Sequence, residues 1–81
     1  MFYTYLIKSK TRDWKYLGST DNLRRRFLEH NLGRVKSTKF YLPFDLVYYE
    51  AYASYILTRK REIELKTQGQ QKEMLLKRLE L

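Results

Sequence analysis

Phe2-Tyr3-Thr4-Tyr5-Leu6-Ile7-Lys8, followed after Ser9-Lys10-Thr11-Arg12-Asp13 by Trp14-Lys15-Tyr16-Leu17-Gly18, is the stretch on which the fold turns. Its side chains alternate, with Tyr3, Tyr5 and Ile7 on one side and Phe2, Thr4 and Leu6 on the other. Apolar and aromatic groups on both sides describe a strand covered on both faces. The polar connector Ser9 to Asp13 suits a hairpin loop, and Trp14 to Leu17 resumes the strand pattern, with Gly18 expected to end it.

Working outward, Ser19 or Thr20 is placed to cap a helix, with Asp21 in its first turn. That helix runs to about His30, turns Leu23 and Phe27 inward, and stops near Asn31 and Gly33. Residues 33 to 43 read as a loop. Phe44 to Ala51 reads as a third strand, centred on Leu46-Val47-Tyr48-Tyr49. A second helix is expected from about Ser54 to Lys66, with Tyr55, Thr58, Glu62 and Leu65 on one stripe. A third follows from about Gln70 to Leu79, with Met74, Leu75 and Leu79 near one face. The order β-β-α-β-α-α predicts an α+β fold, a three-stranded, largely antiparallel sheet flanked by about three helices.

Eighty-one residues make one domain, 1–81, with no room for a second core. The eight tyrosines give a small domain large side chains with which to cover that core. The absence of cysteine excludes a disulfide framework and a thiolate zinc site. Met1 to Ile7 is too short for a signal-peptide core or a membrane span, so the expected address is the cytoplasm and no membrane partner is expected. Seventeen Lys and Arg against nine Asp and Glu leave a net charge of +8. A surface of that sign attracts polyanions by releasing their counterions, and makes nucleic acid the expected partner class.

Five residues carry candidate chemistry. Glu62 stands where a helical stripe should continue with an apolar side chain, so its carboxylate needs a cation or hydrogen-bond donors. An ion pair with an arginine meets that need; so does Mg²⁺, which takes one or two carboxylates and keeps most of its waters. Arg26 shares a helical face with His30 at the edge of the core, where a guanidinium could grip phosphate or lay its stem on apolar surface. His30, the sole histidine, could relay a proton or complement the helix end. Hairpin pairing makes Tyr5 and Tyr16 near neighbours, as core or as a shared site. A phenol, ordinarily of pKa about 10, acts as a general base only where neighbouring positive charge drives it toward phenolate.

In this order the motifs resemble the GIY-YIG nuclease family, as a small standalone single-domain member. Tyr3-Thr4-Tyr5 stands where the family has Gly-Ile-Tyr, and Tyr16-Leu17-Gly18 where it has Tyr-Ile-Gly. Thr20-Asp21-Asn22-Leu23-Arg24-Arg25-Arg26, with Glu29-His30-Asn31, looks like the helix bearing the family arginine, here Arg26. Ser37-Thr38-Lys39, Pro43 and Leu46 to Glu50 are similar to the small members, and Glu62-Ile63-Glu64-Leu65-Lys66 to the segment bearing the metal glutamate, here Glu62.

The resemblance implies a metal-dependent endonuclease that hydrolyses DNA phosphodiester bonds, with DNA repair or recombination as its setting. It implies Mg²⁺, or Mn²⁺ in its place, on Glu62; Tyr5 or Tyr16 activating water; Arg26 stabilising the transition state; and His30 and Asn31 in support. DNA is expected before RNA. Arg34, Lys36 and Lys39 in the loop are the expected backbone contacts, or a solvated basic turn. Larger family members attach DNA-binding domains, so specificity here is expected from DNA structure, a protein partner or self-association. A non-catalytic nucleic-acid-binding module and a basic protein-interaction domain are the alternatives.

Overall fold

The computed structural model describes all residues from Met1 to Leu81. Three strands, β1 (Phe2–Ser9), β2 (Lys15–Thr20) and β3 (Phe44–Tyr52), form one antiparallel sheet in the order β2-β1-β3. Helix α1 (Leu23–Asn31) lies between β2 and β3 in the chain, and α2 (Tyr55–Thr67) and α3 (Gly69–Arg78) close it. A 3-10 turn at Lys39–Tyr41 interrupts the loop before β3. This is the α+β arrangement, β-β-α-β-α-α, that the sequence predicts.

The double alternation of β1 follows from its central position. Tyr5 and Ile7 pack with Phe44, Leu23 and Phe27 under α1, while Leu6 and Leu17 pack with Leu65 and Leu75 of α2 and α3. Two thin cores, one on each face, share a single sheet. Truncating a leucine at the centre of such a layer costs about 2–5 kcal/mol.

Two boundaries differ from expectation, each for a local reason. Gly18 does not end β2 but pairs with Tyr5 inside it. A Cβ there would come within 2.5 Å of the Tyr5 hydroxyl and 3.0 Å of the Tyr16 ring, so the glycine makes room for an aromatic side chain crossing the strand. Helix α1 is capped by Asn22, whose side chain accepts from the Arg25 amide at 3.0 Å, and not by Ser19 or Thr20. Thr20 instead accepts from the Asn22 amide, and Ser19 is drawn to α2. At the other end Gly33, at φ 74°, turns the chain out of α1: its amide donates to the His30 carbonyl and the Arg34 amide to that of Glu29. Asn31 then ties α1 to β3, its side-chain oxygen accepting from the Phe44 amide at 2.6 Å.

Candidate active site

Strand alternation sets the site out. Tyr5 and Tyr16 face α1, with ring centroids 6.5 Å apart; their neighbours Thr4, Leu17 and Ser19 face α2. Tyr5 is fully buried, and its hydroxyl lies 2.7 Å from His30 Nε2. His30 is equally buried, and its Nδ1 meets Thr38 Oγ1 at 2.8 Å. The Thr38 hydroxyl donates onward to the Val35 carbonyl at 3.4 Å, which leaves its oxygen to accept from Nδ1–H. The neutral imidazole then presents a bare Nε2 to the Tyr5 hydroxyl. Burial, with the nearby Arg26 charge, lowers the His30 pKa to about 4 and keeps it in that neutral form. Burial also pushes the Tyr5 phenol up to about 12, with Arg26 pulling against it.

Arg26 stands beside the Tyr5 hydroxyl and donates to Glu29 at 3.2 Å. Burial works against its charge, but Tyr5 and Glu29 outweigh that and raise its pKa. Its side chain remains about a third exposed, so it can reach outward. Tyr16 is half-buried, and Trp14 stacks beside it, itself stacked on Tyr41 at 3.9 Å. The Trp14–Tyr41 stack holds the loop that carries Thr38 against the hairpin.

Glu62 approaches from the other face. It is 5% exposed and accepts hydrogen bonds from Ser19, from Arg59 at 2.7 Å and from Lys66 at 2.6 Å. Burial alone would raise its pKa, but Lys66, Ser19 and Arg59 together hold it below the usual carboxylate range. The partners expected for this carboxylate, a cation or hydrogen-bond donors, are therefore both supplied by the chain itself. Because β2 is an edge strand, α2 side chains reach round it: Lys66 Nζ lies 5.6 Å from the centre of the Tyr16 ring. The two faces meet along that edge.

No three acidic or histidine side chains gather into an all-protein metal cage. One ionised carboxylate beside an open edge fits an ion that keeps its waters and completes its shell with substrate oxygens. Glu62, with Arg59 and Lys66 on its oxygens, would take such an ion by exchanging one of them.

The structure thus brings Tyr5, Tyr16, Arg26, His30 and Glu62 to one edge. Arg34, Lys36 and Lys39 are exposed and in no ion pair, and their loop sends only Thr38 into the cluster. Thr38, Ser19 and Lys66 are the members that sequence reading passed over. Thr38 sits among lysines with no periodicity to mark it as buried. Ser19 looks like a helix cap, and Lys66 like one more basic residue of α2. Asn31 spends its side chain on Phe44 and does not join the cluster.

The fold is a small two-faced α+β domain with tyrosines, an arginine and a buried glutamate gathered near one sheet edge. The family model described as the GIY-YIG catalytic domain matches residues 1–76, and the chain belongs to that family. It is 36% identical over 75 residues to a UPF0213 protein of Staphylococcus saprophyticus, covering 91% of this chain and 90% of that one. A UPF0213 protein of Staphylococcus haemolyticus is 37% identical over 73 residues, 89% of this chain and 88% of its own. No solved structure gives a significant match. No helix is long and apolar enough to cross a membrane.

Proposed function

We propose that the domain is an endonuclease that hydrolyses phosphodiester bonds in DNA, with the β2 edge as its active site. The observation that carries this reading is the Tyr5 hydroxyl, bonded to the bare Nε2 of His30 with the Arg26 charge nearby, at an edge that also holds an ionised Glu62.

The low basicity of His30 and the high pKa of Tyr5 make a resting phenolate–imidazolium pair costly. A concerted transfer avoids it. A water gives its proton to the Tyr5 oxygen as the Tyr5 proton passes to His30 Nε2. The hydroxide oxygen bonds to phosphorus in line, the bond from phosphorus to the leaving oxygen breaks, and solvent protonates that oxygen. Arg26 exchanges Glu29 for the phosphate, which uncovers Tyr5 and neutralises charge gathering on the equatorial oxygens. Tyr16, whose side chain is half-buried at the same edge, orients the water. Glu62 would hold Mg²⁺, or Mn²⁺ in its place, which when bound supplies positive charge beside the leaving oxygen.

DNA as the polyanion rests on family membership and the net charge of +8; a setting in repair or recombination rests on the family resemblance alone. The test is Mg²⁺-dependent cleavage of labelled linear, nicked, flapped and branched DNAs by wild type beside Arg26→Ala. Cleavage by wild type that slows by about 10²- to 10³-fold in the variant is expected. Equal rates would refute the assignment of the site.

A further inference from the structure

Beside Tyr16, where β2 meets α2 and α3, lies a cavity of about 190 Å³ lined by Lys15, Lys66 and Lys72 over Leu6, Leu17 and the Tyr16 ring. Three lysine side chains line a volume of about six water molecules at the ~30 Å³ each takes in the liquid. The carboxylates at hand do not balance them. Glu62 already divides itself between Lys66 and Arg59. Lys15 has only Asp13, at 3.5 Å, and that side chain is 96% exposed, so the pair is worth little. Lys72 has no ion pair, and the Lys15 side chain, 20% exposed, is held along the strand edge and does not wave in solvent. A concave site of one sign over an apolar floor focuses its field on whatever enters.

We infer that this notch seats a backbone phosphate of the nucleic acid, next along the strand from the one that is cut. The inference rests on the proposed reading of the edge as the hydrolytic site and gives that site a direction: the bound strand runs along β2 toward Lys15. It differs from the expected track through Arg34, Lys36 and Lys39, which are strung along a loop and line no common cavity with the tyrosines. Lys66 would serve two groups, steadying Glu62 and facing the phosphate.

The experiment is binding of a fluorescein-labelled DNA duplex, followed by anisotropy in EDTA over a range of NaCl concentrations. Wild type is compared with Lys15→Ala/Lys72→Ala, with Lys72→Ala alone, and with Lys60→Ala/Lys77→Ala, two exposed lysines that do not line the notch. Loss of one phosphate contact lowers the slope of log affinity against log salt by about 0.9 on duplex DNA. That change is expected for the notch pair, a smaller one of the same sign for Lys72→Ala, whose side chain is exposed and whose fold is not at risk, and less for the control pair. An unchanged slope in the notch variants, an equal change in the control pair, or a wild type without salt-dependent binding would overturn the phosphate seat. Binding that behaves as expected in a protein that cleaves no DNA would leave the seat standing and remove the hydrolase reading.

Discussion

The two halves of the site are built on opposite principles. The half under α1 is neutral and dry: Tyr5, His30 and Thr38 are buried, linked by short hydrogen bonds, and their pKa values move apart so that neither ring is charged. The half against α2 is ionic: Glu62 stays a carboxylate because Lys66, Ser19 and Arg59 overcome its burial. A proton relay works best where charge is unwelcome until a substrate brings it, and a cation site needs a charge already in place. On the proposed reading, an edge strand lets one small domain keep both, since neither core has to admit the other's chemistry.

Breaking the neutral half is expected to have the largest effect. Tyr5→Phe removes the relay and should slow cleavage by about 10²- to 10⁴-fold, the usual worth of a positioned acid–base group. Tyr16→Phe should cost less, because the Tyr16 ring packs on His30 but it is the Tyr5 hydroxyl that bonds Nε2; single-turnover rates on the same DNA compare the two. In the ionic half, Glu62→Gln keeps the shape of the side chain and loses its charge. A fall of about 10²- to 10³-fold, with a raised Mg²⁺ requirement in a metal titration, is the expected result.

Gly18→Ala tests the seam between the halves. Its new methyl would press on the Tyr5 hydroxyl and the Tyr16 ring. Overpacking of this kind costs about 1–3 kcal/mol, which should appear in urea denaturation along with reduced activity.

The remaining prediction concerns stability against pH and leaves cleavage aside. His30 has a folded-state pKa of about 4, below the ordinary value of about 6.5, so protons favour the unfolded chain. Its contribution to stability is complete above about pH 6.5 and is lost as pH falls toward 4. Urea midpoints of wild type should drop across that window, and those of His30→Asn should stay flatter. A wild-type midpoint that rises on acidification would remove the neutral, buried histidine from the account.

Much of this was legible in the sequence, and unevenly so. The double alternation of Phe2 to Lys8 reads as a strand covered on both faces because periodicity reports how many faces are covered, and that strand is the central one. Glu62 announced itself by standing on an apolar stripe, and it is indeed buried. Gly18 reads as a stop, yet lies inside β2, because glycine signals a turn and a close contact with the same letter. The burial of Thr38 is illegible for a related reason: it comes from docking of the 33–43 loop on Trp14 through Tyr41, a contact between segments that no local pattern encodes. The notch of Lys15, Lys66 and Lys72 was likewise hidden, since its lysines come from three elements.

The central claim is that these contrasting halves form one hydrolytic site. A double-mutant cycle tests it most directly, with single-turnover cleavage of labelled DNA in Mg²⁺ by wild type, Tyr5→Phe, Glu62→Gln and the double variant. Residues acting as a unit are strongly non-additive, so the double variant should cleave no more than a few-fold slower than the slower single variant. Rate losses that multiply in the double variant, or a wild type that leaves every DNA intact, would contradict it.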